Sequence, residues 1–268
     1  MRIDISKTEH RPWSIPTTPW IMTQRWHDLL FAHWPIPIDE MRAVVPPQLE
    51  LDIYDNQAWV GLVPFRMSNV RPRYVPAVPW LSSFPEYNVR TYVRSSDPDN
   101  PKPGVYFFSL EAGNPVAVSI ARNVFKLPYF RADMNLDDDG TTIRYRTKRT
   151  HLGAAEAEFV GRYVPTGDVA YSQAGTLDHW LTERYCLYTV GHGSAVYRAE
   201  IHHEQWPLQA AELEIEVNTM AAASGLTLPD GPPLLHFSRS LDVVVWPLQR
   251  IYSNRSLKPR IFQIGLHW

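Results

Sequence analysis

The sequence predicts a mainly β (α+β) protein whose sheet closes, or nearly closes, around an interior, with a few short helices plugging or flanking it. Three observations carry this expectation. Alternating, β-branched and aromatic runs dominate the chain; helix signals are few and short; and the 24 prolines are dispersed rather than gathered into a linker. No repeat, low-complexity stretch or boundary interrupts the 268 residues, so a single domain over 1–268 is expected. Its core is expected at about 20–250, with poorly anchored arms at 1–15 and 253–268. A chain of this length buries enough apolar surface to fold without disulfides or metal.

The elements read in order as follows. Asp39 is expected to cap a short helix over 40–45, stopped by Pro46-Pro47. Residues 49–54 and 58–63, joined at Asp55-Asn56, read as a β-hairpin, and the arginine-rich stretch 66–73 as a solvated loop. Residues 86–94 alternate cleanly, and 105–110 form a buried strand. Asn114-Pro115 is an N-cap and N1 pair opening a helix over 116–125. Segments 141–149 and 157–164 pair as a second hairpin. Thr176 opens a helix over 177–184 and Asn218 another that ends before Gly225. Further strands are expected at 185–190, 194–205, 210–217 and 241–247.

Charge and motifs exclude several functions. With 26 basic against 28 acidic residues, the chain lacks the basic face by which phosphate backbones are bound, so no nucleic-acid partner is expected. No run approaches the roughly 18 apolar residues of a membrane helix, and the N-terminus has no apolar signal core. Cys186 is the single cysteine, which permits a reducing compartment; the cytoplasm is the expected location. Phosphate-loop and dinucleotide fingerprints are absent. Ser194, in Gly-His-Gly-Ser-Ala, departs from a nucleophile elbow and reads as a turn. His202 and His203 are neighbours on a strand, so only one is expected to look inward. No metal site and no cofactor are expected.

The strand at 86–94 carries the most information. Tyr87, Val89, Thr91 and Val93 face one way; Glu86, Asn88, Arg90, Tyr92 and Arg94 face the other. On an open sheet the second set is simply the wet face. On a closed one it lines an interior, where a carboxylate and a guanidinium take charge states set by their surroundings.

Four segments resemble the acetoacetate decarboxylase superfamily. Residues 41–52 (Met-Arg-Ala-Val-Val-Pro-Pro-Gln-Leu-Glu-Leu-Asp) are similar to that family's early helix and strand. Phe84-Pro-Glu86 looks like the segment supplying its active-site glutamate. Residues 121–130 (Ala-Arg-Asn-Val-Phe-Lys-Leu-Pro-Tyr-Phe) resemble the motif that carries its paired lysines. With Glu183-Arg-Tyr185 and Trp206-Pro-Leu added, the pattern looks most like the uncharacterised YqjF-like family of that superfamily, over roughly 20–250.

The resemblance implies a cone-shaped β barrel with short flanking helices, enclosing a small-molecule pocket. It implies Glu86 and Tyr129 as the candidate catalytic pair. Arg122, Asn88, Arg90, His27, Tyr185 and His202 are the candidate ligand-binding residues, with Arg122 or Arg90 holding an anion. Tyr129 has a second reading, as an aromatic packing the pocket floor. The paired lysines read Tyr129 and Phe130 here, and neither forms an imine with a ketone. Lys126 is the only lysine nearby and falls on a position expected to face elsewhere. Two functions therefore stand: an enzyme acting on a small carbonyl or carboxylate compound without a Schiff-base lysine, or a non-catalytic protein that binds or sequesters a small molecule. A homo-oligomer is expected by analogy alone.

Overall fold

The computed structural model describes residues 4–97 and 100–251. Thirteen strands form one sheet: β1 (Met22–Ile36), β2 (Leu49–Leu51), β3 (Ala58–Pro72), β4 (Phe84–Ser95), β5 (Pro103–Ala112), β6 (Tyr129–Asp138), β7 (Ile143–Arg149), β8 (Glu158–Ala170), β9 (Cys186–Val190), β10 (Val196–His202), β11 (Leu208–Asn218), β12 (Leu234–Val245) and β13 (Gln249–Ile251). Three α-helices interrupt it: α1 (Ile38–Val44), α2 (Pro115–Val124) and α3 (Leu177–Thr182).

The sheet closes because two strands fork. One edge of β5 pairs with β4 along its length, while the other pairs with β9 at Val105–Tyr106 and with β6 at Leu110–Ala112. β12 forks in the same way: β1 lies on one edge, and the other is shared by β10 at Val244–Val245 and β11 at Phe237. The run β12-β1-β3-β4-β5 thus closes through β9 and β10 at one end, and through β6, β7, β8 and β11 at the other.

As a result the central strands are buried on both faces. On one face Leu30, Leu62, Tyr87 and Val89 pack with Tyr145, Phe159 and Tyr163 of β7 and β8. On the other, Leu29, Phe31, Val63 and Phe65 pack with Trp206 and with Val118 of α2. Burial on both faces also explains why β1 gives no alternating signal: residues 29–32 read Leu-Leu-Phe-Ala and all four are buried.

The hairpin at 141–164 forms as β7 and β8, and Asn114 caps α2 by accepting from the N–H groups of Val116 and Ala117. Thr176 caps α3 through the N–H of His179. Ser194 sits in a turn with φ of 62°. Other expectations need correction. The N-cap of α1 is Pro37, with Asp39 already in the first turn. The turn at Asp55-Asn56 exists, with both residues at positive φ, but it closes only a single antiparallel bridge, Tyr54 to Gln57. β2 pairs instead with residues 93–95 of β4, so β2 and β3 lie in series along one edge of the same strand. Residues 66–72 are no loop: they continue β3 against β1, and Arg66 reaches the buried Asp28 at 2.7 Å. After Asn218 only the short 3-10 turn at Ala222–Ser224 forms, ended by Gly225 at φ 78°. β1, paired with β12 and β3, and β6, paired with β5 and β7, were not anticipated.

The N-terminal arm is anchored rather than loose. Arg11 is buried, donates to the carbonyl of Ile201 (2.7 Å) and pairs with Glu200 at 3.6 Å. Trp13 Nε1 donates to the same carboxylate (2.9 Å), as does Lys102 Nζ (2.6 Å). This strap covers the face of β10 that would otherwise be wet, which is why His202 and His203 are both buried. The segment 253–268 lies outside the described residues. Arg11→Ala should cost about 2–3 kcal/mol of stability by urea denaturation, because it uncovers a buried carboxylate that Lys102 and Arg198 compensate only in part. An unchanged midpoint would mean that the strap contributes nothing.

Candidate functional site

Glu86 lies on β4 opposite Phe65 of β3 and Ala112 of β5. Tyr129 opens β6 opposite Leu110, itself the partner of Asn88. Register therefore brings Tyr129 to the same face as Asn88 and Glu86, and the Tyr129 hydroxyl donates to Glu86 Oε2 at 2.7 Å. Glu86 is 3% exposed. Burial pushes its carboxyl up to about 8, helped by the nearby Glu111 and opposed by the Tyr129 hydrogen bond. Burial, and then Glu86 itself, hold the Tyr129 phenol well above its ordinary value. Near neutrality Glu86 thus carries a proton, and Tyr129, by donating to it, leaves that proton free to go to a third group.

Phe130, the next residue, points to the opposite face. There it packs 4.0 Å from Arg149, which pairs with the fully buried Glu111. Tyr129 and Phe130 therefore serve different compartments. Lys126 is exposed at φ 55°, and its ammonium sits 5.6 Å from the ring centre of Tyr197, away from Glu86. Arg122 is also exposed; it donates to the carbonyl of Tyr129 at 2.6 Å, tying the last turn of α2 to the start of β6. Its place is beside the backbone of Tyr129 rather than beside the Glu86 carboxyl.

The remaining candidates fall into separate groups. Asn88 shares the face of Glu86, with Oδ1 buried and without a partner among the described residues. Arg90 lies further along the same face in a cluster with His33 and Tyr92, where His33 Nε2 is 2.6 Å from the Tyr92 hydroxyl and that hydroxyl donates to the carbonyl of Leu181 at 2.8 Å. His27 is engaged elsewhere, with Nε2 2.7 Å from Ser68 Oγ. Tyr185 and His202 belong to the compartment beneath the N-terminal strap. Tyr185 donates to Glu183 and stacks on His203 at 4.7 Å, and His202 Nδ1 is 3.5 Å from Arg11. Burial pushes His202 down to about 4 and His203 to about 3, so both rings are neutral. His33 and the Glu111–Arg149 pair were missed: His33 ends an apolar run, and the pair is far apart in sequence.

Two clefts lie near these groups, and of the candidate residues only His202 lines either one. One of about 490 Å³ is lined by Phe84, Pro85, Gly113, Asn114 and Trp80, directly beside the start of β4. The other, of about 270 Å³, is lined by Arg25, His202, His203 and Asp242. Among the described residues no group of three or more His, Cys, Asp or Glu side chains is placed to hold a metal ion. No helix among them is long and apolar enough to cross a membrane.

The DUF2071 family model, described as an uncharacterized conserved protein, matches residues 23–242. The chain is 47% identical over 237 residues to the uncharacterized protein YqjF of Bacillus subtilis (strain 168), across 88% of this chain and 95% of that one. Among solved structures, it is similar to acetoacetate decarboxylase from Legionella pneumophila subsp. pneumophila str. Philadelphia 1, with a TM-score of 0.58 at 12% identity over 94% of this chain and 98% of that one. The enduracididine biosynthesis enzyme MppR with HEPES buffer bound gives a TM-score of 0.61 at 10% identity, over 88% and 90%. At these identities the likeness establishes an acetoacetate decarboxylase-like fold and nothing of activity.

The raised Glu86 value makes stability depend on pH in a stated direction. Folded Glu86 binds its proton up to about 8, whereas an unfolded glutamate releases it near 4.5. Between those values the native state holds more protons, so stability falls as pH rises. The loss is on the order of 4 kcal/mol by pH 9. Glu86→Gln, a neutral side chain that still accepts from Tyr129, should remove most of that slope and melt higher than wild type at pH 9. Parallel melting curves from pH 5 to 9 would show that Glu86 is ionised in the fold.

Proposed function

Taking as premise that the chain belongs to the DUF2071 family of uncharacterized conserved proteins, we propose that it is an enzyme of acid–base type. It acts on a small carbonyl or carboxylate compound without a lysine imine. The observation that carries this reading is the part-buried Tyr129–Glu86 hydrogen bond of 2.7 Å, accepted by a carboxyl pushed up to about 8. A group poised near the operating pH both donates and accepts a proton readily. In the proposed reaction Glu86 exchanges a proton with a carbon next to the carbonyl, and Tyr129 donates to the glutamate oxygen as charge develops on it. Arg122 acts as a positioning residue, holding the carbonyl of Tyr129.

The same interior supports a second reading, a protein that binds or sequesters a small molecule without turnover. It is favoured by the wide apolar wall around the pair, formed by Phe65, Phe84, Ala112 and Val118. Under either reading the protein acts as one domain. A cytoplasmic location fits the buried Cys186, whose thiol burial pushes up to about 12 and so keeps unreactive.

Proton transfer can be followed by NMR as deuterium uptake from D2O into a panel of 2-keto and 3-keto acids. Wild type should exchange at least one of them; Glu86→Gln should slow that exchange about 100-fold or more and Tyr129→Phe less, with affinities little changed. Borohydride should trap no adduct. Exchange that survives in Glu86→Gln, or an adduct on Lys126, would overturn the acid–base reading. Melting shifts without any exchange would leave the binding protein.

A further inference from the structure

Arg90 is a guanidinium without an anion. The residue is 9% exposed, and among the described residues no carboxylate lies within 4.0 Å of it. Its hydrogen bonds are two long ones, to the Tyr92 hydroxyl (3.4 Å) and the Leu181 carbonyl (3.3 Å), and its Nε has no partner. The neighbouring cation is compensated, since Arg184 binds Asp52 at 2.5 Å. His33 contributes no opposite charge: burial and the nearby Arg90, His236 and Arg184 keep its ring neutral. An arginine stays protonated in any protein environment, and a buried, unpaired cation is strongly disfavoured.

The strand is built to keep that cation where it is. Gly61 lies between His33 and Arg90 in the register of β1, β3 and β4. A Cβ at Gly61 would stand 3.1 Å from the His33 ring and 3.4 Å from Arg90 Cγ, so the missing side chain lets the two approach. Phe31 lies 5.0 Å beneath the guanidinium and carries Trp206 against its edge at 4.9 Å. Further polar atoms left without partners share this face: Trp206 Nε1, Asn88 Oδ1, His33 Nδ1, and Nδ1 of His236, which pairs with Phe31 across β1 and β12. Unpartnered atoms of this kind, on side chains packed around one ring, mark a place where a polar ligand completes the bonding.

We propose that Arg90 is the seat for a carboxylate carried by the ligand, bound bidentately, with Trp206 Nε1 as a second donor. The inference rests on the functional reading above and narrows it. The ligand is an anionic carboxylate compound whose acid group lies toward Arg90 and whose reacting carbon lies toward Glu86. The two residues are four positions apart, about 13 Å at the backbone, so the acid group and the reacting carbon are separate ends of one molecule.

The test compares sodium propionate with propionamide, at constant ionic strength, as stabilisers in thermal melts. Sodium chloride and inorganic phosphate are run alongside. Wild type should be stabilised by propionate and not by propionamide. Arg90→Met removes the cation while keeping an apolar stem; it should melt no lower than wild type without ligand and lose the propionate response. Arg90→Lys keeps charge but not the planar fork, and should weaken apparent propionate binding more than tenfold. Equal responses to the two probes, a propionate response that survives in Arg90→Met, or a stronger response to chloride or phosphate would overturn the proposal. So would an Arg90→Met variant that fails to fold together with an Arg90→Lys variant of unchanged affinity. Glu86→Gln should retain the propionate response, so loss of exchange in that variant bears on the acid–base reading and loss of binding in the Arg90 variants bears on this one.

Discussion

β4 lies between two packed layers, and the polar groups on its buried length must therefore find their partners inside the protein. Glu86, Asn88, Arg90 and Tyr92 are all buried, so each is either bonded to a neighbour or left unsatisfied at a cost. Much of the site's character follows from that constraint. Glu86 keeps its proton because ionising it would place a bare charge in the interior, and the Tyr129 phenol donates to it for want of solvent. The double burial arises in turn from the forks at β5 and β12, which bring one set of strands over each face of the central run.

Against that background the pair Tyr129 and Phe130 acquires meaning. Neighbouring residues on a strand face opposite sides, and β6 joins the ring along the edge of β5 that separates the two compartments. One ring meets Glu86; the other meets Arg149 and Glu111. Fold likeness by itself says nothing of which reaction, if any, follows.

Much of this was legible in the sequence, for physical reasons that can be named. The hairpin of β7 and β8 was readable because one face alternates with solvent, and α2 because Asn114-Pro115 is a strong local start. The polar row on β4 was readable as a row, since alternation survives burial when one set is polar. β1 was not, because its central run 29–32 is apolar on both faces and the period vanishes there. Residues 66–72 read as solvated because arginines usually are, yet Arg66 belongs to the buried Asp28. The strap was hidden for another reason: Arg11 and Trp13 meet Glu200, and nothing local in the sequence announces so distant a partner. Within the candidate site, Glu86 came from the pattern of the strand and from resemblance, Tyr129 from resemblance alone, and His33 from neither.

Closure of the ring has a temporal side. Met22 lies beside Val245, and His33 beside Leu234, so the first long strand to leave the ribosome waits for nearly the last before that edge is satisfied. Until then β1, 15 residues long with the apolar run 29–32 at its centre, presents open backbone to whatever it meets. A topology dominated by such distant pairings assembles slowly, and its exposed intermediates tend to aggregate as concentration rises. Low temperature and low expression levels favour the soluble product for that reason, independently of how stable the finished barrel is.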